Sequence, residues 1–335
     1  MKKNCSIKPI NLFYEEPEAD RWFPLDRYLR RVIRRIFRGK SKIGGQKKVF
    51  LNLCAGLDRL GIPYRVNNYR YIQRHPEEVA CIIGKPHVLD KINWKNPIVF
   101  GAAVFSHPCE DLDLFNRRPV RKMLVPGEWM KKMCEPFYGG RVHVWPVGIA
   151  TEEWLPAPIN QKDVDILIYD KVRWKHEEFE KELINPIEYH LQAQGLNIAS
   201  IRYGFYQEEE FEALLTRSKA MIFLCEHETQ GIAYQQALSC NIPILAWDRG
   251  GFWQDPSYFP ERVKFAPVSS VPYWDERCGV VFQDINEFPV KLQEFLDKLS
   301  DKQFHPRDYI LENLTLEKSA QHYVEIVNMV QQGLV

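Results

Sequence analysis

Apolar and polar positions follow two alternating rhythms along the chain. Short, nearly continuous apolar runs are separated by longer stretches in which apolar residues recur every three or four positions. The first rhythm predicts buried strands and the second predicts amphipathic helices; alternating, they predict a mostly parallel sheet with helices on both faces. In the first half the predicted strands are Ile10 to Phe13, Tyr64 to Val66, Val79 to Ile83, Ile98 to Phe105, Lys122 to Val125 and Val142 to Trp145. A helix is predicted over Gln46 to Leu60, where Val49, Leu53, Leu57 and Leu60 share one face.

The pattern then restarts. Strands are predicted at Val164 to Tyr169, Ile198 to Tyr203, Ala220 to Cys225 and Pro243 to Ala246, and helices at Glu177 to Ala193, Glu208 to Arg217 and Ile232 to Cys240. Three more helices, Phe288 to Leu299, Arg307 to Glu312 and Leu316 to Val330, close the chain. Between the halves, GIATEEWLPAPINQKD has two prolines and no periodic apolar pattern, which marks a linker. The expected organisation is therefore two Rossmann-like α/β domains, over 1–157 and 158–315, with a terminal helical segment over 316–335.

Composition sharpens this picture in three ways. At 335 residues the chain exceeds what one hydrophobic core usually serves, so two cores are expected. The formal charge of +1 hides an asymmetry: 28 basic and 16 acidic side chains lie up to Asn160, and 17 and 28 lie beyond it. A basic half next to an acidic half points to an anionic partner for the first. The eight cysteines are scattered singly, with no CxxC pair and no Cys/His cluster at zinc spacing, so a reducing cytoplasm and no bound metal are expected. No apolar run approaches the length of a membrane span, and the N-terminal stretch lacks a signal-peptide core.

Candidate chemistry concentrates in MIFLCEHETQGIAYQQALSCNIPILAWDRGG, Met221 to Gly251. A buried strand runs into a loop with Glu226, His227 and Glu228, and Gly231 opens the next helix. Ligands of open α/β sheets bind at the carboxyl ends of strands, and the unpaired amides of a helix start favour anions. A plain βα turn with surface carboxylates is the competing reading of this stretch.

ETQGIAYQQAL resembles the motif of two glutamates with seven residues between them of retaining GT-B glycosyltransferases in family four of the carbohydrate classifications. The resemblance assigns Glu228 to the donor sugar hydroxyls and puts Gln236 where the family has the ribose-binding glutamate. Gln230, Gly231 and Ile232 fall at the donor-binding turn. An amide at 236 can still bond a ribose diol, but without the charge of a carboxylate.

Weaker matches follow in the same order. Gly44 and Gly45 look like the family's N-terminal glycine turn, and IVFGAAVFSHP looks like the strand that ends in an active-site histidine, here His107. DKVRWKHEEF sits where the family has two diphosphate-binding cations, which implies Lys171 and Lys175, with Arg173 as a substitute. The resemblance thus implies two domains facing each other across a cleft, with the C-terminal helix crossing back to the first. It implies transfer of a sugar, with retention, from a nucleotide-sugar (a UDP- or GDP-sugar being expected) to a glycan or lipid-linked acceptor of a cell-surface polysaccharide. No metal is implied by the resemblance: basic side chains suit a leaving group that gains negative charge.

One segment stands apart. DRYLRRVIRRIFRGKSK, residues 26–42, has eight Arg or Lys against one Asp, with Tyr28, Leu29, Ile33, Ile36 and Phe37 on one helical face. A basic amphipathic helix fits an anionic membrane surface, so peripheral contact with the inner membrane face is expected. Two alternatives remain open. Gln236 motivates a catalytically inactive GT-B protein that binds nucleotide or glycan as a partner subunit. The basic half motivates a nucleic-acid-binding or nucleic-acid-modifying protein, although the sequence has no recognised module for that and its aromatics are not interleaved with the basic helix for base stacking.

Overall fold

A computed structural model describes residues 8–16, 44–102 and 104–334. The basic segment 26–42 lies outside the described residues. Contacts divide the chain into two units, one comprising 1–125, 134–145 and 319–335, the other 126–133 and 146–318. The division falls after Trp145, upstream of the proline-containing linker. Residues between the two points are already bound to the second unit: Ile149 N–H donates to Leu314 O at 2.8 Å and Trp154 is buried in that unit's core.

The first unit is built on six parallel strands: β1 (Ile10–Phe13), β2 (Tyr64–Val66), β3 (Ala80–Ile82), β4 (Ile98–Phe100), β5 (Val120–Val125) and β6 (Val142–Val144). Their order is β2-β1-β3-β4-β5-β6. β4 ends five residues before the predicted strand does. At Gly101 the backbone takes φ +133°, packed so closely on Leu124 that no Cβ fits, and regular pairing stops there. The helix predicted from Gln46 runs over Gly45–Arg59. A helix at Tyr69–Arg74 also occurs here, and the helix Glu128–Tyr138 is divided, its residues to 133 counting with the second unit and those from 134 with the first. From Ser319 on, the terminal helix Leu316–Gln331 belongs to the first unit, where Trp145 Nε1 donates to Ser319 O at 2.9 Å and packs edge-on against Tyr323.

The second unit has five parallel strands: β7 (Val164–Asp170), β8 (Ile198–Arg202), β9 (Ser218–Leu224), β10 (Ile244–Trp247) and β11 (Gly279–Phe282), in the order β11-β10-β9-β7-β8. Alternate residues of the central strands face different cores. Leu167, Tyr169, Met221 and Phe223 lie in one cluster, while Ile166, Ile168, Ile222 and Leu224 lie in the other. Burial on both faces is why these strands read as continuous apolar runs. The helix predicted over Glu177 to Ala193 divides into His176–Phe179, a π-helical turn at Glu180–Ile184, and Asn185–Ala193. Pro186 has no N–H for the carbonyl one turn back, and the wider turn before it accommodates the loss.

Candidate functional site

In the second unit the chain runs from β7 to β8 on one side, then returns to β9 on the other side of β7. The connections therefore diverge where β7 meets β9, the position at which open parallel sheets bind ligands. The loops leaving these two strands carry most of the candidate residues. Lys171 N–H donates to Leu224 O at 2.7 Å, extending the β7/β9 ladder by one step. The loop then crosses onto Glu226, whose Oε1 accepts from the amides of Arg173 and Trp174, each at 2.8 Å. A single carboxylate thus anchors the loop after β7 to the loop after β9.

Lys171 and Glu228 form a buried ion pair, their side chains 12% and 8% exposed. Thr229 N–H donates to Glu228 Oε1 at 2.8 Å, and Trp129 Nε1 donates to Glu228 O at 2.8 Å. Burial pushes the Glu228 carboxyl up, but the ammonium of Lys171, the Thr229 amide and the charge of Arg173 outweigh it and hold the group below its ordinary value. For Lys171 burial acts downward and Glu228 more than reverses it, so the lysine rises. The two directions agree on a charged pair. Lys171 Nζ also lies 4.7 Å from the centre of the Tyr203 ring.

Arg173 is a second cation at the site. Its Nη2 meets His227 Nε2 at 2.9 Å, its Nε is 3.9 Å from Glu226 Oε2, and its guanidinium lies over the Trp174 ring at 4.7 Å. Lys175 does not join them. It takes φ +52°, is 68% exposed and pairs with Glu178 at 3.2 Å. The structure thus gathers Lys171 and Arg173, not Lys171 and Lys175, around the loop after β9.

Gly231 precedes the helix Ile232–Ser239 with φ +64°. A Cβ there would stand 2.0 Å from Tyr234 Cε1, so glycine is required by packing as well as by conformation. The first-turn amides of that helix, beginning with Ile232, have no partner inside the helix. Gln230 lies beside them with both amide atoms buried and unpaired among the described residues. Gln236 is on the same helix, 4% exposed.

The first unit carries the remaining candidates. Gly44 and Gly45 start the helix Gly45–Arg59, and no described atom lies within 4 Å of where a Cβ would stand on either. His107 is buried, and its Nδ1 accepts from Cys109 N–H at 3.0 Å. Glu110 completes a capping box by accepting from Ser106 and His107 amides at 2.6 and 3.2 Å. His107 therefore has a structural task in addition to any contact with a ligand. Among the described residues, His75, Glu77 and Glu78 bring three possible metal-ligating atoms within 4.8 Å of one another. Glu78 is already bonded by Asn11 and Tyr71 at 2.9 and 2.8 Å.

Glu226 and His227 stood out in the sequence only as part of a polar loop. Trp129, Trp174, Trp253 and Arg249, which complete their surroundings, did not stand out at all. Trp129 and Trp253 come from distant segments, and no local pattern could link them to His227.

No protein-family model matches the chain, and no curated protein sequence matches it. Solved structures do. A lipopolysaccharide outer core galactosyltransferase, WaaB in its apo form, matches with TM-score 0.51 and 11% identity over 96% of this chain and 99% of that one. Sucrose-phosphate synthase from Thermosynechococcus elongatus matches with TM-score 0.50 and 11% identity over 88% and 83%. A chain of the accessory secretory protein 1, 2 and 3 structure from Streptococcus pneumoniae matches with TM-score 0.47 and 14% identity over 79% of this chain. The present chain spans 56% of that protein's length. The fold is that of the GT-B glycosyltransferases, two parallel sheets with flanking helices. Among the described residues no helix is long and apolar enough to cross a membrane.

Proposed function

We propose that this chain is a glycosyltransferase that moves a sugar from a nucleotide-sugar donor to a glycan or lipid-linked acceptor, with retention of anomeric configuration. The observation that carries the reading is the assembly of Lys171, Arg173 and Glu228 where β7 and β9 diverge, beside the start of the helix Ile232–Ser239. Two cations and a helix N-terminus suit a diphosphate, and a buried carboxylate suits sugar hydroxyls. When the bond from the anomeric carbon to the diphosphate breaks, the leaving group takes the electron pair and gains charge. Lys171, Arg173 and the helix amides meet that charge, in the role a divalent ion would otherwise fill. Glu228 orients the donor sugar, and Lys171, bonded to it, bridges the sugar and phosphate ends of the site. Gly44 and Gly45, open to close approach, and His107 complete the reading on the first unit. An anionic membrane partner for residues 26–42 suits a lipid-linked acceptor.

A second reading, a binding subunit without turnover, is favoured by one observation: Gln236 replaces a carboxylate at a buried position of the donor helix. Thermal shifts with UDP, GDP, ADP and CMP identify the donor base, because a ligand of the native state raises its stability in step with affinity. Release of free nucleoside diphosphate from a nucleotide-sugar then separates enzyme from binder. Stabilisation by none of the four nucleotides refutes the donor site itself.

A further inference from the structure

We propose that His227 is a positioning residue, its Nε2 lone pair holding one edge of the Arg173 guanidinium so that the Nη1 edge is offered to the donor diphosphate. The proposal rests on the reading of the loop after β7 as diphosphate-binding, and it adds a residue and a protonation state to that reading.

His227 Nε2 faces Arg173 Nη2 at 2.9 Å and Trp253 Nε1 at 3.1 Å. A guanidinium and an indole N–H can only donate, so Nε2 can only accept. The imidazole proton therefore sits on Nδ1, and a second proton on Nε2 would point at two donors. Nδ1 itself is buried with no partner among the described residues, a costly arrangement for an N–H group. The protein tolerates that unpaired donor, and the arrangement keeps the opposite nitrogen free to accept.

The surroundings enforce the same state. Trp129, Trp174 and Trp253 lie around the ring, with centroids 5.5, 5.1 and 6.4 Å away. The charged groups facing it are Lys171 and Arg173 from the loop after β7, Arg249 from the loop after β10, and Glu226 and Glu228 from its own loop. Burial and the three cations hold the imidazole far below its usual value. A positive His227 would push Arg173 away, whereas a neutral one anchors it. Arg173 is thereby gripped at Nη2 by His227, approached at Nε by Glu226 and stacked on Trp174, while Nη1 bonds no described residue.

Nitrogen-15 NMR of the imidazole tests the state directly in the wild-type chain. The expected spectrum shows a protonated Nδ1 and a bare Nε2, unchanged between pH 5 and pH 8, with Nε2 shifting in Arg173→Ala. A protonated Nε2, or titration in that range, overturns the proposal. Calorimetry with inorganic pyrophosphate and the nucleoside diphosphates tests the consequence. His227→Phe and Arg173→Ala are each expected to weaken binding about tenfold or more, the double variant no further, and His227→Gln, which restores an acceptor, to recover most of the loss. Additive losses, or full affinity in His227→Phe, overturn the positioning role while leaving the donor site standing. Failure of the wild-type chain to bind any of these anions removes the donor site and, with it, the anion that Arg173 would be positioned for.

Discussion

Acid should destabilise this protein through His227 in a way that can be counted in protons. In the folded chain its pKa is lowered from 6.5 to about 2, first by burial and then by Arg173, Arg249 and Lys171. Between those values the unfolded chain binds a proton that the folded chain refuses. Stability therefore rises with pH through this window and falls as pH drops below about 6.5, by about 1.4 kcal/mol per pH unit. From pH 7 to pH 5 the loss amounts to about 2 kcal/mol from this one residue. Unfolding free energies are hard to define for a chain of two units, so proton uptake is the better observable. Calorimetric unfolding in buffers of different ionisation enthalpy should show wild-type taking up about one proton more than His227→Gln at pH 5.5, and about a tenth of a proton more at pH 7.5. Equal uptake at pH 5.5 would mean that His227 titrates normally in the folded chain, which would refute both the burial and the cation argument.

Other substitutions probe neighbouring features. Glu228→Ala strands the buried ammonium of Lys171 and should cost about 3 kcal/mol in stability besides abolishing sugar transfer, so urea unfolding must accompany any activity assay. Gly231→Ala drives a methyl group into the edge of the Tyr234 ring at a positive φ and should destabilise by about 3 kcal/mol, seen as a lowered Tm. Arg173→Ala should weaken nucleoside diphosphate binding at least tenfold by titration calorimetry, whereas Lys175→Ala, at an exposed residue paired only with Glu178, should change it less than twofold.

The strands of the second unit were legible because each core-facing residue leaves its mark on the pattern. β7 and β9 differ from the sequence reading by no more than two residues at either end. Bends set by a single residue were not legible in this way: Pro186 reorganises a helix that periodicity reads as continuous, and Gly101 ends β4 early. At the site, the family resemblance singled out Glu228 and Lys171, which stand in the loops leaving β9 and β7. The resemblance put Lys175 ahead of Arg173, and the left-handed turn at Lys175 is what turns it away from Lys171 while Arg173 stays at the site. The state of His227 was not legible at all. A histidine between two glutamates suggests easy protonation, but the ring answers to Trp253, Arg173 and Arg249, which sequence adjacency does not reveal.

The two units are interleaved along the chain, since 126–133 belongs with 146–318 and 319–335 returns to the unit that starts the chain. A gene cut at any single point therefore yields at least one broken unit. A fragment beginning at the apparent linker would lack Trp129, which donates to the carbonyl of Glu228 and stands against His227. Recombination that exchanged one end of this gene for a relative's would have to supply a matching tryptophan from the other side of the crossover. Chimeras that graft donor specificity onto this scaffold should accordingly carry 126–133 together with 146–318, as two inserts rather than one.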